Sequence, residues 1–318
     1  MGHKTSVIGL GGMGQTMLAR MAKHPRFDVV CAWDPDPFAM TTTQDQYPGV
    51  RLAAAAEEAL NHLDTAVVYI ASPPLTHAEL GTAAFESNKA VYCEKPLGVN
   101  VEDSQKLVGS ALASGCKNIV NFSMASTAAT QAAERWLEAD APGDLSGVEI
   151  RIHFSQWPRR WQMGASNWLA SRTQGGFGRE VVSHWIYLTE RLFGKAQLDD
   201  SSVRYPGGET AETHINANLH VGAMPVTIAG SIGGAGPDEV EYTIWGSRTS
   251  ARISDWHRFS LSDGGDWQTD TATVTSPGDT NNKLQLENAA AAIAGEPNSM
   301  PDFSDALSVQ ILIEEMLK

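Results

Sequence analysis

A chain of 318 residues, 42% of them hydrophobic, can bury a sizeable core and is long enough for two domains. A formal net charge of −14, with no run of lysine and arginine to offset it, argues against nucleic acid and anionic membrane surfaces as partners. No apolar stretch reaches membrane-spanning length, and Cys31, Cys93 and Cys116 are too few and too scattered for a disulfide framework or a zinc site, so a soluble cytoplasmic protein without bound metal is expected.

From residue 5 to about 122, short runs of Val, Ile and Ala at 6–9, 29–33, 66–71, 90–93 and 118–122 alternate with segments of helical spacing, such as Met17, Leu18, Met21 and Ala22. That alternation predicts parallel strands joined by crossover helices. The alanine run 53–56 reads as the start of one helix. After a linking helix at about 127–139 the rhythm changes to longer alternating runs at 147–156, 212–220, 225–232 and 239–245, separated by Gly, Pro, Asp and Ser. These predict a mostly antiparallel sheet, interrupted by an apolar helix at 180–193 and closed by helices at 283–294 and 303–317. The expected fold class is therefore α/β. A Rossmann doubly wound parallel sheet fills residues 1–122, and a C-terminal α+β domain with a large open sheet, for substrate binding and oligomerisation, fills 123–318.

Between the first strand and the first helix lies Gly9-Leu10-Gly11-Gly12-Met13-Gly14, which fits the G-x-G-x-x-G fingerprint in its required setting. Gly9 permits the tight turn, Gly11 lets a pyrophosphate approach the backbone, and Gly14 lets helix and strand pack closely, while the helix N-terminus offers N–H groups and positive dipole. Asp34 follows twenty residues after Gly14, at the end of the second strand, where a carboxylate accepts from the adenosine ribose hydroxyls and repels a 2′-phosphate. No Arg or Lys occurs between Arg26 and Arg51 to hold such a phosphate. The expected cofactor is NAD rather than NADP.

Two further segments fall where a doubly wound sheet gathers ligands, at the carboxyl ends of strands. One contains Ser72, Pro73, Pro74 and His77; the other is Glu94-Lys95-Pro96. Together with the fingerprint and an apolar helix after the Gly-rich turn Gly175-Gly176-Phe177-Gly178, these motifs make the chain resemble the Gfo/Idh/MocA oxidoreductases over nearly its whole length. The resemblance implies that Lys95 reaches the reacting oxygen of the substrate and that the Lys95–Pro96 bond is cis. A lysine beside a cationic nicotinamide would have its pKa pulled down, which suits a proton relay. Ser72, Pro73, Pro74, His77 and Glu94 would lie on the cofactor side.

The family's second motif, Asp, three residues, His, two residues, Asp, is altered here: His184 is retained, Glu180 stands at the first acidic position and Tyr187 at the second. His184 is the expected second acid/base group, with Glu180, Tyr187, Trp161 and Arg179 as substrate-binding candidates. Trp157, Trp161, Trp168 and Trp185 could stack on a ring, and Arg159, Arg160, Arg172 or Arg179 could hold a carboxylate bidentately. His153, His214, His220 and His257 have no carboxylate or cysteine at ligand spacing, so no metal is expected.

The leading expectation is an NAD-dependent dehydrogenase that moves hydride between the nicotinamide and a secondary alcohol or ketone of a small, carbohydrate-like substrate. Two alternatives stand beside it: an imine (C=N) reductase using the same lysine, and a non-catalytic dinucleotide-binding sensor. An uncovered face of the second sheet would favour a homodimer or homotetramer.

Overall fold

A computed structural model of the chain describes residues 2–274 and 277–318. The chain forms two compact units, Met1–Phe122 with Asn282–Gln310, and Ser123–Asn281 with Ile311–Lys318.

Among the described residues, the first unit holds a six-stranded parallel sheet of β1 (His3–Ile8), β2 (Phe27–Trp33), β3 (Arg51–Leu52), β4 (Val67–Ile70), β5 (Ala90–Cys93) and β6 (Asn118–Val120). Val7, Ile8, Val67, Val68, Val91 and Tyr92 are fully buried, the unbroken apolar run of strands covered on both faces. The covering helices are α1 (Gly12–Met21), α2 (Pro37–Gln46), α3 (Ala56–Leu60), α4 (His77–Glu86) and α5 (Val101–Ser114). The alanine run expected to open a helix at Ala53 instead prolongs the sheet edge. The Ala53 N–H donates to the Ala32 carbonyl at 3.0 Å, and α3 starts at Ala56.

The strand order β3-β2-β1-β4-β5-β6 reverses direction between β1 and β4. Loops leaving the carboxyl ends of those two strands diverge to opposite sides and leave a crevice, the usual ligand position in an open α/β sheet. The fingerprint follows β1 and the Ser72 turn follows β4, so topology puts both at the crevice.

The second unit contains α6 (Ala128–Glu138), β7 (Leu145–Phe154), α7 (Ser166–Leu169), α8 (Ser183–Phe193), β8 (Gln197–Arg204), β9 (His214–Val221), β10 (Met224–Ile232), β11 (Glu239–Gly246), β12 (Ser250–Ser254), β13 (Arg258–Ser262) and β14 (Gln268–Thr269). Its strands form one sheet in the order β14-β13-β12-β11-β7-β10-β9-β8, antiparallel except for the parallel β7–β10 pair. Alternation along β9 and β10 buries Ile215, Ala217, Leu219, Val226 and Ile228 and exposes Asn216, Asn218, Thr227 and Ala229. Helix α8 is buried from Ser183 to Glu190, with Trp185 stacked on Tyr242 of β11 at 5.6 Å.

The last helices, α9 (Pro277–Ala294) and α10 (Phe303–Met316), divide their residues between the units. Leu286, Ala289 and Ala290 join Val7, Met17, Leu18 and Tyr69 in one apolar cluster, so residues 282–310 pack with the Rossmann sheet and not with the domain to which sequence order assigns them. No helix among the described residues is long and apolar enough to cross a membrane.

Candidate functional site

In the first unit the fingerprint is built as a backbone surface. Gly9 sits at φ +92, and a Cβ there would stand 2.6 Å from the Ala71 and Ser72 backbone, so the β1 and β4 loops touch through the missing side chain. A Cβ on Gly14 would overlap the Gly9 carbonyl oxygen. Gly11 and Gly12, by contrast, have nothing within 4 Å of their Cβ positions, and Gly11 caps α1 without a side chain. The first-turn N–H groups of α1, which no helix can satisfy internally, are thus uncapped beneath an open patch. That combination fits a dinucleotide pyrophosphate.

Asp34 is tied into the same loop. Its Oδ2 accepts from the Leu10 N–H at 2.6 Å and its Oδ1 from the Asp36 N–H at 2.8 Å. Each carboxylate oxygen keeps a further lone pair for a ribose hydroxyl. Asp36 spends its own side chain on the Phe38 N–H at 2.9 Å, capping α2.

His77 joins the two remaining loops. It is 1% exposed, and its Nε2 lies 2.8 Å from the Ser72 carbonyl while its Nδ1 lies 2.9 Å from that of Pro96. Burial holds its pKa below the usual imidazole value, so the ring is neutral near pH 7 and donates to one carbonyl at a time. Pro73 and buried Pro74 shape the turn before it, with Ser72 Oγ 2.6 Å from Thr76 Oγ1. The Lys95–Pro96 bond is cis, and Lys95 is half-buried.

Glu94, 7% exposed, anchors this lysine loop in a polar network that the sequence did not signal. Its Oε1 accepts from the Tyr69 hydroxyl and from Asn121 Nδ2 at 2.7 Å. Asn121 Oδ1 in turn accepts from Tyr92 at 2.6 Å and from Gln285 Nε2 at 2.8 Å. Burial, reinforced by the Glu94 charge, raises both phenols, which therefore stay protonated donors. In sequence Tyr69 and Tyr92 read simply as core positions of β4 and β5.

In the second unit the Gly-rich turn is explained by a neighbour far along the chain. Glu212, 2% exposed, accepts from the Gly178 N–H at 2.7 Å, and a Cβ on Gly176 would collide with its carboxylate. A buried carboxyl group, its pKa raised by burial, thus caps the helix start. Residues Gly178–Val182 form a π-helical turn before α8, a wider winding than the α-helical spacing expected between Glu180 and His184. Glu180, His184 and Tyr187 are all buried at 5–8% exposure. Ser123 Oγ lies 3.4 Å from His184 Nδ1, and Tyr187 OH lies 3.4 Å from Arg191 Nη1, itself paired with Glu134.

Arg179 does not reach for a ligand. Its Nε and Nη2 bind Glu314 at 2.6 and 2.8 Å, and its Nη1 donates to the carbonyls of Arg172 and Gly175. Burial opposes its charge, but the Glu314 pair more than offsets that and raises its pKa. All its donor nitrogens are committed inside the fold, which removes it from the expected substrate contacts.

Trp161, 66% exposed, borders a cavity of about 630 Å³ together with Phe154, Arg159, Asp238, Asp255 and Trp256. The Arg159 guanidinium carbon stands 4.9 Å from the Trp161 ring, 5.0 Å from Phe154 and 5.9 Å from both Trp157 and Trp256. Trp256 lies in the β12–β13 turn at φ +70, after Asp255 at φ +52, positions where glycine or asparagine is usual. Holding a bulky residue there costs of order 1–3 kcal/mol. Its ring meets that of His184 edge-on at 5.5 Å. Among the described residues no group of three or more His, Cys, Asp or Glu could hold a metal ion.

Residues 3–122 match the family model of the Gfo/Idh/MocA oxidoreductases, described as an oxidoreductase family with an NAD-binding Rossmann fold. The chain is 34% identical over 119 residues to an inositol 2-dehydrogenase of Pseudarthrobacter chlorophenolicus, an alignment covering 36% of this chain and 35% of that protein. It thus spans about a third of the length of the curated relative it matches. Among solved structures, an oxidoreductase of Agrobacterium radiobacter, in complex with NAD+, L-tartaric acid and magnesium, superposes with TM-score 0.85 at 16% identity over 100% of this chain and 96% of its own. A levoglucosan dehydrogenase in complex with NADH and L-sorbose gives TM-score 0.86 at 17% identity, covering 99% and 96%. At these identities the two structures establish the two-sheet α/β fold.

Proposed function

We propose, on the premise that residues 3–122 are the NAD-binding domain of a Gfo/Idh/MocA oxidoreductase, that the chain interconverts a secondary alcohol and a ketone on a small polar, carbohydrate-like substrate, with NAD as its cofactor. When bound, the nicotinamide supplies the hydride acceptor or donor. The fingerprint backbone holds the pyrophosphate and Asp34 the adenosine ribose, excluding a 2′-phosphate. Lys95 holds or releases a proton at the reacting oxygen, and His184 is the second proton-handling group.

The observation that carries this reading is His77, which fastens the Lys95–Pro96 loop to the Ser72 turn at the carboxyl edge of the sheet, beside the open glycine patch. His77 thus supports the reading by joining the loop that carries Lys95 to the turn that touches Gly9. Such fixed placement of a reactive group is where most of the rate advantage of a cofactor enzyme arises.

The test mixes the protein with NAD+ or NADP+ and a panel of polyols, sugars and amines, and records reduced-cofactor absorbance. Turnover of an alcohol excludes the sensor alternative. Lys95→Ala and His184→Ala should each cost about 10²–10⁴-fold in kcat while cofactor binding persists. Full turnover by both variants would overturn the assignment. The exposed sheet face of Asn216, Asn218, Thr227 and Ala229 is the proposed surface for a homodimer or homotetramer, checked by sedimentation.

A further inference from the structure

We propose that the cavity around Arg159 is a carboxylate subsite, so that the substrate is a hydroxylated ring or short polyol bearing one carboxylate, a sugar acid rather than a neutral sugar. The proposal rests on the hydride-transfer reading and narrows its substrate class.

Arg159 is the carrying observation. Its Nε donates to Gln162 Oε1 at 3.0 Å, while its two terminal nitrogens meet no carboxylate among the described residues. Four aromatic rings lie within 6 Å of the guanidinium carbon, and the Glu180 and Asp238 charges act on it without pairing with it. A cation desolvated in this way is costly unless something neutralises it, and the geometry that a free guanidinium fork matches is a planar carboxylate received bidentately. Burial pushes the guanidinium toward its neutral form, opposed by the Glu180 and Asp238 charges, and a bound anion would relieve that pressure directly. Arg179, in the same unit, shows the contrast: there the chain supplies its own carboxylate, Glu314.

The walls indicate the rest of the ligand. Trp161 and Trp256 offer flat faces on which the C–H side of a ring can stack. Asp238 and Asp255 line the same space and would accept from hydroxyls, while their negative charge disfavours a dianionic phosphate. A volume of about 630 Å³ lies within the range of small-molecule sites. Trp256 also ties this subsite to the proposed chemistry, because the same indole borders Arg159 at 5.9 Å and His184 at 5.5 Å. The strained turn that presents Trp256 gains a reason: it builds a wall shared by the anion and the proton-handling histidine.

The test measures binding to the full chain, by tryptophan fluorescence and calorimetry without cofactor, of acid and neutral pairs: glucuronate with glucose, galacturonate with galactose, and quinate with myo-inositol, plus glucose 6-phosphate. At least one acid should bind about tenfold or more tightly than its neutral counterpart, the gain expected of a charge-assisted pair, and more tightly than the phosphate. Arg159→Gln should abolish the preference, and Arg159→Lys, which keeps charge but loses the fork, should lose most of it. The proposal fails if no acid outbinds its neutral partner, if the phosphate binds best, or if a folded Arg159→Gln keeps the preference. The pairwise comparison on the unaltered protein needs no variant to fold. Carboxylate preference without any turnover would sink the hydride-transfer reading and leave the subsite standing; turnover without preference would do the reverse.

Discussion

The backbone N–H of Leu10 donates to the Asp34 carboxylate at 2.6 Å, so the residue proposed to choose the cofactor also braces the loop that would hold it. Asp34→Ser should therefore act twice. It removes the charge that repels a 2′-phosphate, and it loosens the fingerprint by releasing the N–H groups of Leu10 and Asp36. The ratio of kcat/KM for NAD over NADP should fall by about 10–100-fold, with NAD losing more than NADP gains, because one hydrogen-bonded carboxylate contributes about 1.5–3 kcal/mol. Steady-state kinetics with both cofactors checks this, and an unchanged ratio would contradict the proposed role.

The glycines of the fingerprint should separate by what their side chains would meet. Gly14→Ala drives a Cβ into the Gly9 carbonyl and should cost about 3 kcal/mol of stability. Gly11→Ala meets nothing within 4 Å and should cost under about 1 kcal/mol, yet its methyl would occupy the space where a pyrophosphate approaches. Thermal melts paired with cofactor titrations should show the first variant unstable and the second stable with at least about tenfold weaker binding. Equal affinity for Gly11→Ala and the unaltered protein would mean that the open patch is not the cofactor's.

Arg179 and Glu314 should behave as a structural pair. Their side chains are 9% and 17% exposed, and removing one partner strands the other charge in the fold. Arg179→Met should cost about 3 kcal/mol, the lower end for a buried pair because Glu314 keeps some contact with water. Arg179→Met combined with Glu314→Gln should recover part of the loss. Urea midpoints measure both; a substrate-specific loss of affinity with unchanged stability would restore Arg179 to the binding site.

What could be read from sequence followed local order along the chain. The glycine turn, Asp34, the Pro-Pro turn and Lys95 each sit directly after an apolar strand, so periodicity and spacing sufficed to place them. Strand β3 has two residues and no period to detect. Helical spacing in residues 283–294 shows that an apolar face exists but not which sheet it covers, and Leu286 covers the Rossmann sheet. The partner of Arg179 lies 135 residues away, beyond any local pattern, and nothing local sets Arg159 apart from Arg160, Arg172 and Arg179. Trp256 carried no signal at all, since Asp-Trp is not a turn pair that sequence rules favour at positive φ.

The last expectation concerns pH. His77 has its folded-state pKa lowered, mainly by burial, so the folded protein binds fewer protons at this site than the unfolded chain once the pH drops below about 6.5. Its contribution to stability is thus complete above that value and is lost as pH falls through the window down to the lowered pKa, by up to about 1.4 kcal/mol per pH unit. Protonation also changes the clamp: a charged ring donates to both Ser72 and Pro96, but at the cost of a buried cation near Lys95. His77→Gln should be less stable at pH 8, because a single amide cannot span both carbonyls as the ring does, and its melting temperature should fall less steeply between pH 7 and 5.5 than that of the unaltered protein. Comparing the two slopes cancels every other titrating group. Parallel slopes would mean that His77 is not held neutral by its burial.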